Sequence, residues 1–145
     1  MKKVLCFEDK AMIADYLSEY IQTLGQEAYV CSTPSEVKDA LNKGIYDLYI
    51  IDLNVAAIGL NADQIKRTQN GLRTGWVVLT DVIYMADVNC AEKTVVFSDY
   101  ISNFKNYISS GNCLQHDKTI FDKLEKRKAL IEKNAGYREL KRFII

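Results

Sequence analysis

Proline is almost missing: Pro34 is the only one in 145 residues, and there are seven glycines. Such a chain is neither a proline-rich linker nor a collagen-like or low-complexity segment. Net charge is missing as well, since 19 Lys+Arg balance 19 Asp+Glu. No overall field draws the chain to nucleic acid or to an anionic membrane, so direct binding to either is not expected. No apolar run approaches the length of about 18 residues that a membrane span needs. The N-terminus enters a strand-like segment at once, which excludes a signal peptide and gives a cytoplasmic reading. Histidine is limited to His116, so histidine-based acid–base or metal chemistry has little to work with, and His116 reads as a strand-edge residue. The four cysteines, Cys6, Cys31, Cys90 and Cys113, show no C-x-x-C or Cys/His spacing. They are expected to be free thiols, two of them acting as small hydrophobes inside apolar runs.

What is present is apolar mass. With 48% hydrophobic residues, the chain can bury the core of one compact domain. Val4-Leu5-Cys6-Phe7 is a short apolar run ended by Glu8 and Asp9, and reads as a buried strand. Ile13, Leu17, Tyr20, Ile21 and Leu24 then recur at helical spacing up to Gly25. Ala28 to Cys31 is a second strand. Thr33-Pro34-Ser35-Glu36 combines an N-cap, a proline at the first helical position and a glutamate three after the cap, which opens a helix that Gly44 ends. Leu48 to Ile51 is a continuous apolar run ending at Asp52, as in a central strand covered on both faces. Strand, helix, strand, helix, strand with short connections is a parallel sheet flanked by helices. Function in such sheets gathers beyond the carboxyl ends of the strands, where Glu8, Asp9 and Asp52 all sit. Carboxylates meeting there repel, and water, a cation or a raised pKa must relieve them.

From Leu53 to Asn70 no clean period holds, and the segment reads as a long loop with a helical turn around Asp63 to Arg67. Trp76 to Leu79 is strand-like locally, yet Leu72, Trp76, Leu79 and Ile83 share one helical face. The helical register is preferred because it orders the last third of the chain. Thr94 to Phe97 becomes the fourth strand, ending at Ser98. Ile101, Phe104 and Ile108 form a helix ended by Gly111. Cys113-Leu114-Gln115 gives a short fifth strand followed by Asp117-Lys118, and Phe121, Leu124 and Ile131 fit the final helix. Residues 1–135 make the domain, and 136–145 an extension or the end of the last helix.

KKVLCFEDK, YDLYIIDLN, NGLRTGWVVL, TVVFSDY and the Asp117-Lys118 pair, each in order near a strand's end, resemble the receiver domains of two-component response regulators. The resemblance implies a CheY-like, flavodoxin-like doubly wound α/β fold, (βα)5, with five parallel strands in the order 2-1-3-4-5. It implies that Asp52 takes a phosphoryl group from a sensor histidine kinase or a phosphotransfer protein of a phosphorelay. Carboxylates are ionised at neutral pH, which makes such a nucleophile competent. Glu8, Asp9, Asp52 and the backbone carbonyl of Asn54 would hold Mg²⁺, a hard cation served by few oxygen ligands. Lys118 would contact the phosphoryl oxygens, and Ser98 would hydrogen-bond one of them and switch the segment that follows for a downstream protein partner. The chain would be no enzyme beyond self-phosphorylation and autodephosphorylation. A homodimer through the fourth and fifth helices and the last strand fits the resemblance. The chain departs from the pattern at Asp99, at Thr119 where proline is usual, and at Gln115 where an aromatic is usual. Those departures support an alternative, an atypical receiver that binds proteins without phosphorylation. A phosphatase acting through an aspartyl-phosphate would want an acid two residues after Asp52, where Asn54 stands.

Overall fold

The computed structural model describes residues 1–145. Five parallel strands form one sheet in the order β2-β1-β3-β4-β5. They are β1 (Lys3–Phe7), β2 (Glu27–Cys31), β3 (Leu48–Ile51), β4 (Thr94–Ser98) and β5 (Leu130–Glu132). The three continuous apolar runs take the centre: β3 and β4 are buried along their whole length, and β1 from Val4 onward. β2 lies at the edge and exposes Tyr29 and Val30.

Helices α1 (Ala11–Thr23) and α2 (Pro34–Asn42) connect the first three strands. The cap expected at Thr33 is present, because its side chain accepts the Glu36 N–H at 3.2 Å. The Glu36 carboxylate reaches one residue further back than a capping box requires, taking the Ser32 N–H at 2.8 Å. The long connection after β3 contains α3 (Ala62–Arg67), closed by a reciprocal Asn61–Gln64 capping box. Arg67 fastens α3 to the next helix by a fork onto Asp81, at 2.7 and 3.0 Å. Burial alone would raise the Asp81 carboxyl, but the bonds from Arg67, Gln64 and Thr80 outweigh it and hold it below the ordinary aspartate value.

A carboxyl depressed by folding stabilises the native state above its unfolded pKa, and that gain is lost as pH falls through the folded value. Asp81→Asn should therefore cost about 1 kcal/mol at neutral pH, the scale of a partly exposed pair. The difference between the two proteins in urea unfolding should begin to shrink below about pH 4, near the unfolded aspartate pKa, and vanish only below the lower folded value.

The next helix, α4, runs through Thr74–Val77, a wider π-helical stretch Val78–Ile83, and Tyr84–Ala86. Trp76, Leu79 and Ile83 are buried, as the helical register requires. After β4 come α5 (Ile101–Ser109) and α6 (Gln115–Lys126). Here the structure corrects the expectation for the last third. Cys113-Leu114-Gln115 is not a strand: the first two residues lie in a connection and Gln115 opens α6. His116 accordingly lies in the first turn of α6, its Nε2 3.3 Å from the Thr80 carbonyl oxygen, and not at a strand edge. Ile131 belongs to β5, paired with Phe97, and not to a final helix with Phe121 and Leu124.

What hides this boundary is the residue that stops α6. Lys128 sits at φ +57°, and its N–H bonds the Glu125 carbonyl at 3.0 Å while the Ala129 N–H bonds that of Leu124 at 2.9 Å. That is a Schellman stop with lysine in the left-handed position glycine normally takes. Lys128→Gly should stabilise the fold by about 1 kcal/mol, since a side chain at positive φ costs about that much. A rise in denaturant midpoint at unchanged slope is the readout.

Beyond β5 the chain makes two tight turns, Lys133–Ala135 and Tyr137–Leu140, and the short helix α7 (Lys141–Ile144). Leu140 and Ile144 are fully buried. Tyr137 packs against Tyr16 and Tyr20 of α1, with ring centroids 4.4 and 5.8 Å away. No helix is long and apolar enough to cross a membrane. All four cysteines are free, and burial pushes the Cys31 thiol up to about 11.

Candidate functional site

The parallel register builds the site. Phe7 pairs with Ile51, so the residues just beyond them, Glu8 and Asp52, come side by side. Both are anchored by ladder bonds that continue past the strand ends: the Asp52 N–H to the Phe7 carbonyl and the Glu8 N–H to the Cys31 carbonyl, each at 3.0 Å. Asp9 follows at the surface, and one carboxylate oxygen from each of Glu8, Asp9 and Asp52 lies within 4.8 Å of the others. Glu8 and Asp52 are buried while Asp9 is exposed, so the cluster is a cup closed below and open above. Asn54 stands half-buried two residues after Asp52.

Ser98, the last residue of β4, is fully buried. Its Oγ accepts the Leu53 N–H at 3.4 Å and the Tyr100 N–H at 3.3 Å. One hydroxyl thus ties the backbone after Asp52 to the backbone that enters α5. Asp99 is exposed.

Lys118 does not reach the site, which corrects its expected place after the fifth strand. It lies on the exposed side of α6, 3.4 Å from Asp122 one turn along. Its neighbour Asp117 is buried in the same helix and accepts the Tyr107 hydroxyl at 3.3 Å. The cation at the site is Lys133. Ser98 pairs with Glu132, so the next residue is the first beyond β5. Its Nζ stands 2.5 Å from Glu8 Oε1 and 3.1 Å from Asp52 Oδ2. The sequence does carry a signal for it, the run Ala129-Leu130-Ile131 ended by Glu132-Lys133, but a helix read across that run conceals it. The residue three before Lys133 is Leu130 and the one after it is Asn134. The departures first assigned to Gln115 and Thr119 therefore persist at these two positions with different residues.

The electrostatics follow from burial. Desolvation raises the Glu8 carboxyl, the Lys133 hydrogen bond pulls it back, Asp52 raises it again, and the net position is above the ordinary value. For Lys133 burial opposes the charge, but the Glu8 hydrogen bond and the Asp52 carboxylate outweigh it and hold the ammonium above its usual value. The arrangement offers oxygen ligands of the kind a hard divalent cation takes, a nucleophilic carboxylate beside them, and a fixed ammonium at its flank.

The chain matches no protein-family model and no curated protein. Solved structures do resemble it. The PhyR response regulator receiver domain of Erythrobacter litoralis superposes with a TM-score of 0.62 at 16% identity, over 99% of this chain and 86% of that one. The non-phosphorylated HemR receiver domain of Leptospira biflexa gives 0.61 at 16% identity, over 99% and 94%. The response regulator TrrA of Thermotoga maritima, in complex with Mg²⁺ and BeF, gives 0.54 at 21% identity, over 87% and 98%.

Proposed function

We propose that this chain, which has the CheY-like receiver fold, accepts a phosphoryl group on Asp52 and signals by a conformational change to a protein partner. The observation that carries this reading is the meeting of Glu8, Asp9 and Asp52 within 4.8 Å with Lys133 bound to two of them. The donor is a sensor histidine kinase or phosphotransfer protein, and the setting a two-component phosphorelay inside the cytoplasm. Asp52 attacks phosphorus through a carboxylate oxygen while the bond from phosphorus to the donor breaks. Glu8, Asp9, Asp52 and the Asn54 carbonyl are suited to hold Mg²⁺, which when bound offsets charge on the phosphoryl oxygens. Lys133, in the role the resemblance implies for Lys118, turns its ammonium to those oxygens. The Ser98 hydroxyl donates to one of them. In doing so it draws on the segment that joins Leu53 and Tyr100 and so shifts the start of α5.

The double ion pair of Lys133 favours one other reading, an atypical receiver in which Asp52 stays paired and the domain binds proteins unmodified. Incubation with Mg²⁺ and acetyl phosphate, followed by intact mass, separates the two. Wild type should gain one phosphoryl group, Asp52→Asn none, and Lys118→Ala as much as wild type. No gain in wild type, or an equal gain in Asp52→Asn, ends the phospho-acceptor reading and leaves the second.

A further inference from the structure

The sheet has one long open edge, and it carries apolar residues. β2 exposes Tyr29 at 38% and Val30 at 42%, and Ile45, in the connection before β3, is 57% exposed beside them. Between this edge and α2 runs a groove of about 440 Å³ whose walls include Tyr29, Tyr46 and Ile45. None of this belongs to the acidic site, which lies beyond the ends of the strands.

The backbone of the edge is ready to pair. Glu27 and Cys31 turn their polar groups inward, to Lys2 and Glu8. Alternation along a strand then turns those of Ala28 and Val30 outward. Strand edges of this kind template pairing unless charge, proline or a bulge blocks them. β2 contains no proline, and its one charged residue, Glu27, is bonded by the Tyr29 hydroxyl at 2.6 Å.

Charge decides the occupant. The groove has acids, Glu36 and Asp39, toward the N-terminal end of α2, and bases, Lys43 and Lys3, toward the other end. We infer that a second copy of this chain docks here, β2 against β2 in antiparallel sense. The two-fold axis passes through Tyr29, so Ala28 of each copy exchanges hydrogen bonds with Val30 of the other. This rotation keeps both α2 helices on the same face of a continuous ten-stranded sheet, twice the five of one copy. It sets the Glu36–Asp39 end of each groove against the Lys43–Lys3 end of its mate, and Tyr29 and Ile45 fill the joined grooves. A parallel two-fold arrangement would turn one copy over and put the two α2 helices on opposite faces, leaving the acids and bases of the grooves without mates, so the charge pattern favours the antiparallel one. This surface differs from the pairing through the fourth and fifth helices and the last strand that the family resemblance admits. Here that last helix is reduced to turns and a four-residue helix.

Sedimentation equilibrium of the full chain over a wide concentration range tests the inference. Wild type should dimerise reversibly. Val30→Pro removes an outward N–H, so it should be monomeric with little change in unfolding midpoint. Lys43→Glu, on an exposed position of the helix C-terminus, should weaken association about tenfold or more at low salt by facing acid with acid, with the defect shrinking as salt rises. Should the proline variant fail to fold, the Lys43 variant still decides. A wild type that stays monomeric at every concentration overturns the inference and leaves the edge to a strand from another protein. A dimer that neither variant weakens overturns it too, because the copies then meet elsewhere.

Discussion

Gly75→Ala should destabilise the protein by about 3 kcal/mol, although alanine is the better helix former. Gly75 lies buried in the first turn of α4, and its N–H bonds the Leu53 carbonyl at 3.0 Å. A Cβ there would stand 1.9 Å from the Asp52 carbonyl oxygen, 2.8 Å from its carbonyl carbon and 2.9 Å from Ile51 Cγ2. Two of these three neighbours are backbone of the central strand's end, held in the sheet by the Asp52 N–H bond to Phe7. The helix must therefore move away from the sheet. The gain in helix propensity, at most about 1 kcal/mol, does not offset that. The change reaches the site because the displaced backbone carries Asp52 and Leu53, and the Leu53 N–H is one of the two donors to Ser98. A lower denaturant midpoint at unchanged slope is the expected readout. An alanine variant as stable as wild type would show that α4 does not press on the strand as described.

That contact also marks the limit of what residues alone reveal. The three strands whose ends carry Glu8, Asp9, Asp52 and Ser98, namely β1, β3 and β4, are legible because each is a compact apolar run stopped by a polar residue. Glu8, Asp9, Asp52 and Ser98 could thus be placed at strand ends without coordinates. The helix α4 is legible through the period of Trp76, Leu79 and Ile83, although Leu72, expected on the same face, lies half-buried in the turn before it. β5 is not, for two physical reasons. Leu130-Ile131-Glu132 is only three residues long and sits in a run of lysine, glutamate and arginine that favours helix by propensity. Its strand identity comes from pairing with Val96 to Ser98, a tertiary effect that overrides local preference. Nor does a glycine announce the end of α6, because Lys128 takes the left-handed position. With β5 concealed, the apolar Cys113-Leu114 took its place and Lys118 the place of Lys133. The acids are legible in the sequence and their counter-charge is not. The close approach at Gly75 left no trace in the pattern, since a glycine beside a tryptophan in a helical run reads as a mere weak spot.

Lys133→Met should cost about 3–5 kcal/mol, the scale of removing one partner from a buried ion pair. The Lys133 side chain is 9% exposed, and the carboxylates it joins, Glu8 and Asp52, are 2% and 5% exposed. Methionine keeps the unbranched stem and most of its packing, so the loss reports mainly the charge. What remains is two acids side by side below the surface, one of which burial already pushes toward its neutral form. Much of the cost is then repulsion and unpaired desolvation, and it should be recoverable. Adding Glu8→Gln to Lys133→Met removes one of the two charges and should restore about half of the loss, a coupling of the kind that touching residues show. Glu8→Gln alone leaves Lys133 with Asp52 and should cost less than Lys133→Met. Lys118→Met is the matched control. Its ammonium and the Asp122 carboxylate are 48% and 61% exposed, so its effect should stay within about 0.5 kcal/mol. Equal losses in the two lysine variants would remove the electrostatic account of the site. A large loss at Lys133 with partial rescue by Glu8→Gln would identify the ammonium as the charge that lets the strand ends bring two buried carboxylates together.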